Sequence, residues 1–289
     1  MSIKTILVPM AGGTRSAVAT QCALSLAKLF GAHVTGLHVR PDPRAAIPYI
    51  GEGMTADVIQ QLCEAAERDG LESASKARES FEAIRQAAEV PLCETPAGSA
   101  GASARWTEEM GAETDVIACY GRLADLTVVD RAEDDDEDAV FSILESLLFV
   151  SGRPILVAPA ANPPAITGGT AVITWNGSME SSRAVAFALP FLAQAKRVVV
   201  LSAGKTPVGT PSVKQLRRYL AWHQIDSEGL TLEKIGDPTG QLLLDKSHEL
   251  DAGLVIMGAY THSRWREMIL GGVTRFMLEK GDIPVLMSH

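Results

Sequence analysis

The chain has little of what several chemistries require. Its four cysteines, Cys22, Cys63, Cys93 and Cys119, are scattered, with no C-x-x-C pair and no cysteine–histidine spacing suited to zinc. Such thiols read as reduced, which fits a cytoplasmic protein. No apolar run approaches the ~18 residues of a membrane span. The opening MSIKTILVPM enters a strand directly, without the apolar h-region of a secretion signal. Basic charge is also scarce: 26 Lys and Arg stand against 35 Asp and Glu, a net charge of −9. That balance argues against nucleic acid or an anionic membrane as a partner, since both need clustered cations. There is no G-x-S-x-G elbow and no G-x-x-x-x-G-K-[S/T] loop. No catalytic residue and no metal ligand is therefore assigned, and an enzyme is not the expected outcome.

What the chain does have is an alternation of short apolar runs with helical patterns, read twice. In the first pass Ile3–Met10 is a strand, Arg15–Phe30 a helix and His33–Val39 a strand. A long helical region spans Thr55–Glu89, with Gly70 as an interruption. Ala104–Met110 is a strand, Glu113–Arg122 a helix, Leu126–Val129 a strand, Glu137–Val150 a helix and Pro154–Pro159 the last strand. AANPPAITGG, Ala160–Gly169, has linker composition. The second pass has strands at Thr170–Trp175, Arg197–Ser202, Leu230–Ile235, Leu254–Met257 and Ile283–Met287. Its helices are Glu180–Leu192, Ser212–His223, Thr239–His248 and Gly271–Lys280.

The two passes superimpose as text. Gly12 matches Gly177, ADLTVVD (124–130) matches AGLVIMG (252–258), and RPILVAP (153–159) matches IPVLMSH (283–289). The expected organisation is a domain at 1–160, a linker at 161–169 and a domain at 170–289. Fully apolar strands alternating with helices argue for parallel sheets covered on both faces. Such sheets take ligands at the carboxyl ends of their strands, at a topological switch point.

In the second half those ends are Asn176-Gly177-Ser178, after the first strand, and the stretch from Gly258 onward, after the fourth. There Thr261, His262 and Ser263 and the cations Arg264 and Arg266 lead to Gly271-Gly272, which open a helix at Val273. Glycines between a buried strand and a helix N-terminus suit an anion, because backbone N–H groups turn to one point and the helix dipole favours negative charge. Plain turn chemistry is the other reading, with Ser178 as a helix cap. In the first half Asp130 stands at the position of Gly258, and six consecutive acids, Glu133–Asp138, fill the loop. They would repel a phosphate chain.

The stretch from Gly258 resembles the motif of universal stress proteins, G-x-x-G, nine residues, then G-[S/T]. Gly258 and Gly271 fall on the first and last glycines, while Thr261 and Gly272 depart from the pattern. With both halves included, the chain resembles a tandem, two-domain member. The resemblance implies two Rossmann-like (adenine nucleotide α-hydrolase-like) α/β domains, each a five-stranded parallel sheet with helices on both faces. It implies pairing of the last strands, Pro154–Pro159 with Ile283–Met287, as an intramolecular pseudo-dimer, and leaves a homodimer open. It implies a stress-response role, with ATP and magnesium at Asn176, Gly177, Ser178, Gly258, Thr261, His262, Ser263, Gly271, Gly272 and Val273. The alternatives are a scaffold of the same fold that binds no nucleotide, supported by the two departures, and a weak ATP hydrolase.

Overall fold

A computed structural model describes residues 2–10, 16–46, 55–95, 101–131, 137–159, 166, 168–204, 208–233, 239–259 and 272–289. The strands are β1 (Thr5–Pro9), β2 (His33–Arg40), β3 (Ser103–Met110), β4 (Leu126–Val129), β5 (Ile155–Val157), β6 (Thr170–Thr174), β7 (Arg197–Ala203), β8 (Glu228–Leu232), β9 (Ala252–Gly258) and β10 (Val285–Ser288). The helices are α1 (Ala17–Phe30), α2 (Ala56–Ala87), α3 (Glu113–Gly121), α4 (Glu137–Ser146), α5 (Met179–Leu192), α6 (Val213–Trp222), α7 (Thr239–Glu249) and α8 (Gly272–Lys280).

The chain divides into two compact units. One comprises Lys4–Val128 and Ser142–Ser151; the other comprises Met1–Ile3, Val129–Phe141 and Gly152–His289. In the first, parallel strands lie in the order β3-β2-β1-β4. The start of β1 is fixed by Asp125, whose Oδ2 accepts from the backbone N–H of Lys4 at 2.8 Å and of Thr5 at 3.0 Å. α2 lays Ala74, Ala77 and Phe81 into the core. Gly36 makes room for it: a Cβ there would stand 2.7 Å from the Phe81 ring. α2 runs unbroken through Gly70, where an interruption is expected from the sequence. One glycine in so long a helix costs about 1 kcal/mol, less than the packing of the buried face supplies. The helix expected over Glu137–Val150 ends its α-turns at Ser146 and continues as a π-turn over Leu147–Ser151. Gly121 explains the close fit there, since a Cβ on it would meet Leu147 at 3.0 Å and Ser151 at 3.2 Å.

In the second unit the order is β5-β10-β9-β6-β7-β8. β6 to β10 form the expected five-stranded parallel sheet. β5 adds antiparallel to β10, pairing Leu156 with Leu286. The last strands of the two sequence repeats thus pair as the resemblance implies, and β10 is not left as an open edge. Val172, Val199, Leu201 and Leu243 form a core cluster, with Val273 of α8 packed against it. β8 begins and ends earlier than the strand expected over Leu230–Ile235. It is hydrogen-bonded to β7 from Glu228 to Leu232, and Gly229 lets α6 approach, a Cβ there falling 2.8 Å from Val213.

His33, at the start of β2, carries a pH prediction. Burial, then the nearby Arg105, push its pKa below the ordinary 6.5, against a smaller opposing effect of Glu94. The folded state therefore disfavours the proton, and the unfolded chain binds it more readily. Stability from this group is present above pH ~6.5 and is lost as pH falls below it. Urea midpoints measured from pH 7.5 to 5.5 should decline less steeply in His33→Gln than in the wild type. Parallel slopes would contradict the assignment.

Candidate functional site

β6 lies between β9 and β7, so the chain leaves it in one direction and returns to its other side: this is the switch point of the second unit. At the exit of β6, Trp175 donates its backbone N–H to Leu201 O at 2.7 Å. Its indole Nε1 donates to Pro211 O at 2.8 Å. Gly177 has φ +77°, a left-handed conformation, and a Cβ there would strike Thr210 at 2.8 Å. Asn176 Oδ1 accepts from Ser178 N at 3.1 Å, and Ser178 Oγ accepts from Ser181 N at 3.1 Å. The three residues therefore build a turn and cap α5. Glu180, in the first turn of α5, is buried and puts a carboxylate near that helix end.

Gly258 ends β9 in parallel register with β6, whose Thr174 pairs with Met257 next to it. A Cβ on Gly258 would stand 2.4 Å from Ser181 N and 2.7 Å from the Glu180 carbonyl carbon. The glycine is thus required by the close passage of α5 over the strand. It also brings the two turns together: Asn176–Ser178 and Gly258 meet at the first turn of α5. Ala259 follows, donating its N–H to Ser288 O at 2.9 Å. Its carbonyl lies 3.1 Å from His289 Nδ1. Thr261, His262, Ser263 and Gly271 lie outside the described residues. Gly272 opens α8 with no heavy atom of the described residues within 4 Å of a Cβ built there, and Val273 turns into the core. α8 joins β9 to the parallel neighbour β10, which sets its N-terminus at the carboxyl ends of the strands. A helix N-terminus placed so turns its first backbone N–H groups toward the strand ends.

The first unit closes β1 in the same way: Met10 donates its N–H to Leu37 O at 2.7 Å, the counterpart of Trp175 and Leu201. A buried imidazole then takes the place beside it. His38 Nδ1 lies 2.6 Å from Met10 O, and the ring stacks on Trp106 with centroids 6.3 Å apart. The acids 133–136 lie outside the described residues, and Glu137 and Asp138 enter α4. No group of three or more His, Cys, Asp or Glu able to hold a metal occurs among the described residues.

Arg131 carries a contact that no sequence pattern marks. Its guanidinium donates to Met277 O at 2.7 Å, Leu278 O at 2.8 Å and Ile283 O at 3.0 Å, all within the second unit. It satisfies the carbonyls that end α8 and the turn leading to β10. Burial lowers its pKa to about 10, partly opposed by Asp282, so it stays charged at neutral pH. No local motif announces this contact, which spans 146 residues of chain.

Comparison with known proteins adds to this geometry. Residues 2–115 match the family model described as the universal stress protein family. Over that segment, less than half of the chain, the sequence is similar to the universal stress protein family. The match ends before Asp130 and does not reach the second half, where the glycine loop lies. A universal stress protein of Archaeoglobus fulgidus DSM 4304 is similar in structure, with TM-score 0.68 and 15% identity. It covers 99% of this chain and 96% of its own. A functionally unknown protein of Pseudomonas aeruginosa PAO1 gives TM-score 0.59 and 16% identity over 99% of this chain and 92% of its own. At such identities the likeness speaks for the fold. No curated protein matches the sequence. No helix among the described residues is long and apolar enough to cross a membrane.

Proposed function

We propose that the chain is a tandem universal stress protein whose second half, residues 170–289, binds an adenine nucleotide, ATP with magnesium, and whose first half is a structural partner that binds none. The observation that carries this reading is the switch point itself. β6 and β9 end side by side, and α8 opens on the same side of the sheet at an exposed glycine whose Cβ would meet nothing within 4 Å among the described residues. The chain's own groups would hold phosphate by backbone N–H donors of α8, with Thr261, His262, Ser263 and Gly271 supplying the rest of the loop. The role is that of a cytoplasmic stress-response regulator acting through ligand-dependent shape or partner choice, rather than that of a catalyst.

A scaffold that binds no nucleotide is the second reading. It is favoured by Asn176, Gly177 and Ser178 serving their own turn and by Gly258 having a packing reason. Thermal melts with ATP and magnesium separate the two. At a nucleotide concentration of about 100 Kd, binding adds ~2.7 kcal/mol to the stability of the folded chain, so the melting temperature rises with ATP. An unchanged melting temperature at millimolar ATP supports the scaffold.

A further inference from the structure

At the amino-terminal ends of β1, β2 and β3 the first unit contains a cavity of about 600 Å³. That volume lies within the range that holds a small organic ligand. α3 packs on β1 and β2, and the cavity opens beside its last turn, over the starts of β2 and β3. Leu7, Ala32, Leu123 and Ala124 give it apolar walls. Its polar side chains include Lys4, His33, Glu94, Ser103, Arg105 and Tyr120.

Arg105 is the main one. Its side chain is half-buried, and its Nε donates to Thr35 Oγ1 at 3.1 Å, which fixes the plane of the guanidinium. Among the described residues no carboxylate lies within ion-pair distance of it. Beside it, His33 Nδ1 lies 2.9 Å from Ser103 Oγ, and burial together with Arg105 keeps the imidazole neutral. Lys4 stands at the wall with its Nζ donating to Phe30 O at 3.2 Å and Gly31 O at 3.3 Å. The one acid in the lining is Glu94. Tyr120 gives its hydroxyl hydrogen to Glu109 and does not neutralise the arginine. Two cations and one anion leave a net charge of +1 on the lining.

We infer that this cavity binds a small organic monoanion, a single carboxylate on an apolar body, with the carboxylate on the terminal nitrogens of Arg105. A planar guanidinium pre-oriented by Thr35 matches a carboxylate with two parallel N–H donors. One uncompensated charge suits one carboxylate rather than a phosphate dianion. The apolar body lies against Leu7, Ala32, Leu123 and Ala124. This site is independent of the nucleotide site and of the proposal made for it.

Naphthalene-2-carboxylate is a suitable probe, compared by calorimetry with uncharged 2-naphthylmethanol and with inorganic phosphate on the full chain. The expected result is saturable binding of the carboxylate near one per chain. The alcohol and the Arg105→Gln variant should each bind roughly tenfold weaker or worse, as loss of a charge-assisted bidentate contact requires. Bound carboxylate should slow alkylation of Cys119, an exposed thiol in the cavity lining, whereas ATP with magnesium should not. Should Arg105→Gln fail to fold, Cys119→Phe blocks the same cavity from an exposed position and should abolish binding. No binding of the carboxylate, equal binding of the alcohol or of phosphate, or full affinity in a folded Arg105→Gln or Cys119→Phe chain would overturn the assignment.

Discussion

Arg131→Met is expected to lower the stability of the second unit by about 3 kcal/mol. The guanidinium makes three charge-assisted hydrogen bonds to backbone carbonyls at 2.7–3.0 Å, and each such bond contributes roughly 1.5–3 kcal/mol. Against that stands the cost of burying the cation, visible in its lowered pKa. Methionine keeps most of the volume but leaves the carbonyls of Met277, Leu278 and Ile283 without this donor. Arg131→Lys retains the charge and one contact, and should recover part of the loss. Urea denaturation followed by tryptophan fluorescence tests the order wild type, lysine, methionine. A methionine variant within ~0.5 kcal/mol of wild type would show that the contact is surface decoration.

The second large effect is at Gly258. Gly258→Ala places a methyl group 2.4 Å from the backbone nitrogen of Ser181 and 2.7 Å from the Glu180 carbonyl carbon. Those are backbone atoms of α5, and no side-chain rotation can relieve the contact. The helix has to lift from β9, or the strand has to bend. Overpacking of this kind costs typically 1–3 kcal/mol, and a backbone obstacle puts this case at about 3 kcal/mol or beyond. Gly272→Ala is the contrast. Its Cβ meets nothing within 4 Å among the described residues, and it sits in a helix. It should be neutral or up to ~1 kcal/mol stabilising, through the smaller entropy of the unfolded chain. Two glycines of one loop motif are thus expected to behave oppositely, and equal effects would contradict the packing account.

The same pair shows what the sequence made legible. The apolar run Leu254–Met257 becomes β9, buried on both faces between β10 and β6. The textual match of 153–159 with 283–289 marks two strands that do pair, as β5 and β10. These features are local patterns or repeats of them. Gly258 was legible as a glycine that matters, but the pattern alone assigns it to phosphate binding. Its packing against Glu180 and Ser181, 77 residues upstream in the latter case, depends on the angle at which α5 crosses the sheet. Arg131 and the carbonyls of α8 are further apart still, and nothing in RAEDDDEDAV distinguishes a structural cation from a solvated one. The cavity at Arg105 belongs to the same class. Lys4 precedes β1, His33 and Arg105 stand on β2 and β3, and Cys119 is in α3; parallel register brings the two strand residues together, with His33 opposite Ser103 and Thr35 opposite Arg105. The acid run Glu133–Asp138 carries the expectation that phosphate is repelled from the first half.

The central claim, a nucleotide site at the start of α8, is tested most directly by calorimetric titration with ATP and magnesium of the wild type beside Gly272→Asp. The aspartate meets none of the described residues, and an acid in the first turn favours the helix, so the variant should fold while its charge opposes phosphate. The account predicts saturable binding near one nucleotide per chain in the wild type, weakened at least tenfold in the variant. No heat at millimolar ATP, or equal affinity in the two proteins, would contradict it.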